Sequence, residues 1–241
     1  IYIPILILNL MLKQLLSEMQ HLSNPEKAKL LSGFFKTGKG DYGEGDVFLG
    51  IMVPFQREVA GKYKGLSLSE IQELLNSKIH EHRLTALFIL IHQYKKANEK
   101  KKEEIVKLYL SNTKNVNNWD LVDLSAPRIL GEYLLDKDRK ILYKMASSSL
   151  LWDRRIAVLS TFAFIAKNDF KDSLRIAELL LKDKHDLMHK AVGWMLREIG
   201  KRNQKAEEDF LKKHYKQMPR TMLRYSIEKF DDKKKKFYMK K

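Results

Sequence analysis

The chain contains no cysteine among its 241 residues. That excludes disulfides, thiol nucleophiles and Cys-type zinc sites together, and it suits a cytosolic, reducing compartment. Proline and glycine are scarce, at five and eleven residues, and four of the glycines fall within residues 38–45. Long apolar runs are missing as well. The opening IYIPILILNLML is the longest candidate, and it is shorter than the roughly 20 residues a bilayer-crossing helix needs. It also lacks the basic leader of a secretion signal, so residues 1–12 are expected to be an N-terminal packing segment rather than a membrane anchor. Acidic residues are the minority charge: 30 Asp+Glu face 46 Lys+Arg, a formal +16. A surplus of that size, spread along the chain, calls for a polyanionic partner, either nucleic acid or an acidic membrane surface.

What remains is helical in period. Apolar residues recur at i, i+3, i+4 and i+7 near 9–22, 26–36, 67–76, 80–97, 101–111, 137–147, 150–167, 171–182, 185–201, 203–215 and 219–230. Capping residues mark the joins: Ser67 before LSEIQELL, Asn118 before WDLVDL, and Pro219. FLGIMV (48–53) is the one stretch arguable as a strand, and helix is preferred there. Trp119, Trp152 and Trp194 lie 33 and 42 residues apart, close to the period of two-helix repeats. The expected fold is therefore all-α: a HEAT-like or armadillo-type solenoid of stacked antiparallel helix pairs with a basic concave face. Residues 1–23 would form an N-terminal helix with its apolar leader, 24–230 the repeat domain, and 231–241 a basic C-terminal tail.

Two motifs fail on inspection. GFFKTGKG (33–40) carries most of a phosphate-gripping G-x-x-x-x-G-K-[ST] loop, but Gly40 stands where a metal-ligating hydroxyl belongs. A helical run precedes it where a strand should be, and Asp41, Glu44 and Asp46 repel phosphate. His185 and His189 have zinc-ligand spacing, but no carboxylate occupies the HExxH position, so no metal and no cofactor are expected.

Three helices carry residues that spoil them. On the helix after Asp186, Trp194 projects about 110° from the apolar stripe. Lys190, Arg197 and Lys201 surround it, a mixed face suited to base, sugar and phosphate. In LLWDRRIAVLSTFAFIAK, Arg155 points into the arc of Leu151, Val158, Leu159 and Phe162, with Arg154 at its edge. A charge there suits a carboxylate or a phosphate, which the guanidinium fork matches equally well. In NNWDLVDLSAPR, Trp119 and Asp123 are i and i+4 and share a face, and Asp120 better fits the role of helix-terminal charge. Arg220 and Arg224 extend the basic surface after Pro219.

WDLVD, the WDRR tract, HKAVGWMLREIGK and MPRTMLRYSIEKF together resemble the bacterial DNA alkylation repair proteins of the AlkD type. KTGKGDYGEGDVFLGIMVPFQREV looks like that family's glycine-rich N-terminal segment, a structural loop between helices. The resemblance implies an alkylpurine DNA glycosylase of HEAT-like repeats acting as a monomer on duplex DNA. It implies a lesion site of Trp119, Asp123, Arg155 and Trp194, in which Arg155 grips a phosphate; Arg154 is the alternative for that clamp. Arg154, Lys190, Arg197, Lys201, Arg220 and Arg224 would hold the DNA. The substrates would be 3-methyladenine and 7-methylguanine. The alternatives are a non-catalytic relative binding unusual DNA structures and a helical scaffold for acidic proteins.

Overall fold

The computed structural model describes residues 5–240. Of the apolar leader, residues 1–4 lie outside the described residues. The fold is all-α, with fourteen α-helices among the described residues. The chain forms two compact units, divided between Leu121 and Val122. The division falls inside one short helix, where no shift in composition marks it.

The first unit contains α1 (Ile5–His21), α2 (Pro25–Phe34), α3 (Val53–Lys62), α4 (Leu68–Leu75), α5 (His80–Lys96) and α6 (Glu99–Ser111). Helix starts follow their capping chemistry. The Asn24 side chain accepts from the Lys27 N–H ahead of Pro25, and Ser67 and Glu70 form a reciprocal capping box. α5 is the central helix of the unit and packs on α3, α4 and α6. Leu87, Ile89 and Leu90 on it are fully buried. Each such side chain contributes about 1.5–3 kcal/mol through burial, so Leu87→Ala would open a cavity at the centre of the unit.

Residues 48–52 are not the helix expected there. They form no regular element, with Gly50 at φ +82°, and the helix begins only at Val53. The reason is Glu81, 1% exposed, whose carboxylate accepts from the backbone N–H groups of Leu49, Gly50 and Ile51 at 3.0, 2.8 and 3.2 Å. Three charge-assisted bonds to one side chain replace the helical ladder. The phosphate-loop resemblance dissolves here too. Gly33 sits within α2, and the Gly40 N–H donates to Glu44 at 2.9 Å.

α7 (Trp119–Ser125) crosses the boundary between the units. Pro127 follows, and a proline there removes the N–H that would reach back to the carbonyl of Asp123. The chain continues as a single π-helical turn, Pro127–Gly131.

The second unit then builds α8 (Lys140–Ala146), α9 (Leu151–Ala166), α10 (Lys171–Leu179), α11 (Asp186–Arg202), α12 (Gln204–His214), α13 (Arg220–Ser226) with a 3₁₀ turn at Ile227–Lys229, and α14 (Asp232–Met239). α11 packs on α9, α12 and α13. A side chain at Gly193 would place its Cβ 2.5 Å from the Met222 carbonyl, so glycine is what lets α11 and α13 touch. The basic stretch after Phe230 is helical: Asp231 caps it by accepting from Lys234 N–H at 2.8 Å, and Tyr238 is buried.

Candidate functional site

α7 opens on Asn118, which is buried and whose side-chain oxygen accepts from the Trp119 N–H at 2.8 Å. Trp119 is half-buried. Its indole stacks on Phe35 at 5.2 Å and 25°, and meets the edge of Phe34 at 5.9 Å. Phe34 itself is 64% exposed. The next residue, Asp120, is buried and bonds the His80 ring at 2.8 Å. Two aromatics of α2 and its C-terminal end thus frame Trp119 within the first unit, a setting its own helix does not reveal.

In the second unit, Asp123 meets Arg155. The carboxylate accepts from Nε at 2.9 Å and from Nη2 at 2.8 Å, a bidentate fork, while Nη1 donates to the Leu187 carbonyl at 2.5 Å. Arg155 is 4% exposed, and the Asp123 side chain retains 14%. Of the two partners open to a buried arginine, the structure supplies the carboxylate. Arg155 therefore joins α7, α9 and the start of α11, and its fork is turned to Asp123 where a phosphate grip was expected. Arg154 takes a separate path. Its Nε donates to Asp183 at 2.7 Å and its Nη1 to the carbonyls of Ser148 and Ser149. Neither arginine stands as a free cation on the surface.

Trp194 is half-buried on α11, with its ring 6.2 Å from Phe162 of α9. Its indole N–H donates to Glu198 at 3.1 Å. The same carboxylate holds Lys201 at 2.7 Å and lies 3.7 Å from Arg197. Arg197 also pairs with Glu228. The face around Trp194 is thus an acid-bridged network, not the purely basic flank expected. Glu198 escaped notice although it stands at i+4 from Trp194, the position that shares its helical face. Lys190 pairs with Asp186 at 2.7 Å. Lys201, Arg220 and Arg224 are exposed. Arg220 Nη1 donates to the Met239 carbonyl at 3.3 Å.

The two histidines with zinc-like spacing have other duties. His185 Nδ1 accepts from the Leu187 N–H and caps α11, while His189 Nε2 bonds the Asp183 carbonyl at 2.5 Å. Among the described residues no group of three or more His, Asp and Glu could hold a metal ion. No helix among them is long and apolar enough to cross a membrane.

Residues 15–230 match a family described as DNA alkylation repair enzyme. A search of curated proteins finds no match. Among solved structures, a predicted DNA alkylation repair enzyme from Enterococcus faecalis superposes with a TM-score of 0.69 at 18% identity, over 87% of this chain and 97% of that one. AlkD2 from Streptococcus mutans superposes with a TM-score of 0.55 at 18% identity, over 93% and 99% of the two chains. At that identity the superpositions speak for the shared helical fold, while the match across residues 15–230 speaks for kinship: the chain belongs to the DNA alkylation repair enzyme family.

Proposed function

We propose that this protein is a DNA glycosylase that removes cationic alkylated purines, 3-methyladenine and 7-methylguanine, from duplex DNA. The observation that carries the reading is the carboxylate of Asp123, held in a two-bond fork by a buried arginine yet still partly open to solvent. A purine alkylated at N3 or N7 is already positively charged, so it leaves as a neutral base without protonation. As the C1′–N bond breaks, both electrons go to the base and positive charge develops on the sugar. A preorganised carboxylate lowers the energy of that oxocarbenium-like state most when it cannot reorient. Arg155 supplies the rigidity. Water then adds to C1′, and Asp123 accepts the proton that the water gives up.

Trp119, flanked by exposed Phe34, and Trp194 would hold the sugar and backbone around the lesion through their faces. The exposed Lys201, Arg220 and Arg224 would contact phosphates, and the protein would act as a monomer. A non-catalytic relative that binds unusual DNA structures would use the Asp123–Arg155 pair as a strut alone. Single-turnover excision of 7-methylguanine separates the two. Asp123→Asn should lower the rate roughly 10²–10³-fold with DNA affinity level or higher. A variant that cuts at the wild-type rate would refute the catalytic assignment.

A further inference from the structure

His80 is the first residue of α5 and is 2% exposed. Its ring is gripped at both nitrogens. Nδ1 lies 3.2 Å from Asp46 of the glycine-rich segment, and Nε2 lies 2.8 Å from Asp120 of α7. Backbone bonds run alongside: the His80 N–H donates to the Val47 carbonyl at 2.9 Å, and the Val47 N–H to that of Lys78 at 3.1 Å. Asn117, two residues before α7, donates to the other oxygen of Asp46 at 3.3 Å. A Cβ at Gly43 would lie 2.6 Å from the Phe35 carbonyl and 3.4 Å from the Asn118 amide, so the glycine-rich segment presses directly on the residues that launch α7.

The rings are layered to match. The imidazole stacks on Phe48 at 4.6 Å and lies 5.0 Å from Phe35, whose ring carries the Trp119 indole at 5.2 Å. Two arms therefore run from His80 to Trp119: one through Asp120, its chain neighbour, and one through Phe35. We infer that His80 is a positioning residue for Trp119, and that the indole keeps its orientation only while the imidazole carries a proton on each nitrogen and so donates to both carboxylates. A neutral ring has one N–H and would turn a lone pair toward either Asp46 or Asp120.

The charged groups facing the ring are Asp46, Asp120 and, from α5 itself, Arg83, which pairs with Asp46 at 2.7 Å. Phe35 and Phe48 face it without charge. Burial disfavours the imidazolium, but Asp120 and Asp46 outweigh burial and Arg83 together and carry the ring up to about 9. The positioning itself is independent of what the indole does; only its consequence for lesion binding rests on the reading of Trp119 as a lesion-binding residue.

The test uses the full chain with ¹⁵N-labelled indoles, whose three N–H signals are assigned with Trp119→Phe. As pH rises through about 9, the Trp119 signal should move in step with the His80 ring. Asp120→Asn should bring that midpoint down toward the ordinary histidine value of about 6.5, and it serves as the test should His80→Gln not fold. Phe35→Leu should leave His80 titrating and shrink the response of Trp119. An indole signal that stays fixed while His80 loses its proton, or that still titrates in His80→Gln, overturns the inference. On a 7-methylguanine duplex at neutral pH, His80→Gln should weaken binding roughly tenfold, within the range for losing one aromatic stack, and leave the single-turnover rate near wild type. A perturbed indole with unchanged lesion binding would leave the positioning intact and remove Trp119 from the lesion site.

Discussion

Asp123 and Arg155 act as one group at the residue scale, because each is costly to bury without the other. Replacing Asp123 by Asn removes the charge proposed to act in catalysis and also leaves a 4% exposed guanidinium without its carboxylate. Breaking such a pair destabilises a fold by about 3–5 kcal/mol. The excision rate of Asp123→Asn therefore has to be read at a temperature where unfolding is excluded by circular dichroism. Asp123→Asn combined with Arg155→Met should recover stability without recovering excision. Recovery of both would make the carboxylate a strut. Glu207 gives a second residue-scale prediction. It is 1% exposed, and burial, reinforced by Glu208 and opposed by Arg197, pushes its carboxyl up to about 8. A folded-state value above the unfolded one contributes stability that is full at acid pH and lost as pH rises through about 8. Glu207→Gln should thus melt higher than wild type at mildly alkaline pH, with the gap closing as pH falls through the ordinary carboxylate range. An equal gap at every pH would mean that the carboxyl is not the source.

At the scale of elements, the first unit ties its glycine-rich segment to α5 and α7 through one imidazolium. His80 is raised to about 9, so its share of stability is full below about 6.5 and lost as pH climbs through about 9. Asp46 shifts the other way: burial raises its carboxyl, but the His80 bond and Arg83 outweigh that and lower it. Its share is present above the ordinary carboxylate range and lost as pH drops below it. Amide exchange should show protection of α5 and of the first turn of α7 falling on the alkaline side near 9, and that loss should vanish in His80→Gln. Protection that declines identically in both proteins would assign the alkaline loss to other groups. The π turn at Pro127–Gly131 is the corresponding irregularity of the second unit, and it immediately follows the helix of Asp123. Such turns are frequent at functional sites.

For the whole molecule, the proposed duplex contact draws on a formal +16, most directly through arginines that are not already paired with an acid. Arg154, Arg155, Arg197 and Lys190 are each paired with an acid, whereas Arg220 and Arg224 are exposed on α13. Each phosphate contact contributes about −0.9 to the slope of log affinity against log salt. Arg220→Ala with Arg224→Ala should then flatten the slope for undamaged duplex by roughly 1.8, two such contacts. Arg154→Ala should instead lower the melting temperature and leave the slope alone. A slope that responds to Arg154 and ignores α13 would place the DNA elsewhere.

The helices, their caps and the basic surplus follow from the sequence alone, because period, capping chemistry and charge are local properties. Ser67 and Asn118 cap the helices they precede and Pro219 stands directly before α13, as read from the sequence, and α5, α9 and α11 stand close to where their apolar stripes put them. The residue types at Trp119, Asp123, Arg155 and Trp194 were equally legible, as polar or aromatic positions that spoil good helices. Partners were not. Whether Arg155 reaches a carboxylate or a phosphate depends on α9 coming within reach of Asp123, across 32 residues of chain. The irregular run at 48–52 depends on Glu81, about 30 residues on, and the face of Trp194 acquires Glu228 only once α11 and the turn after α13 are packed, whereas Glu198 stands on the same helix at i+4. In the sequence His80 is only the first residue of the periodic run 80–97. Tertiary structure alone placed two acids and two aromatic rings around it, because a buried charge is decided by what lies across space from it, and helical period carries no such information.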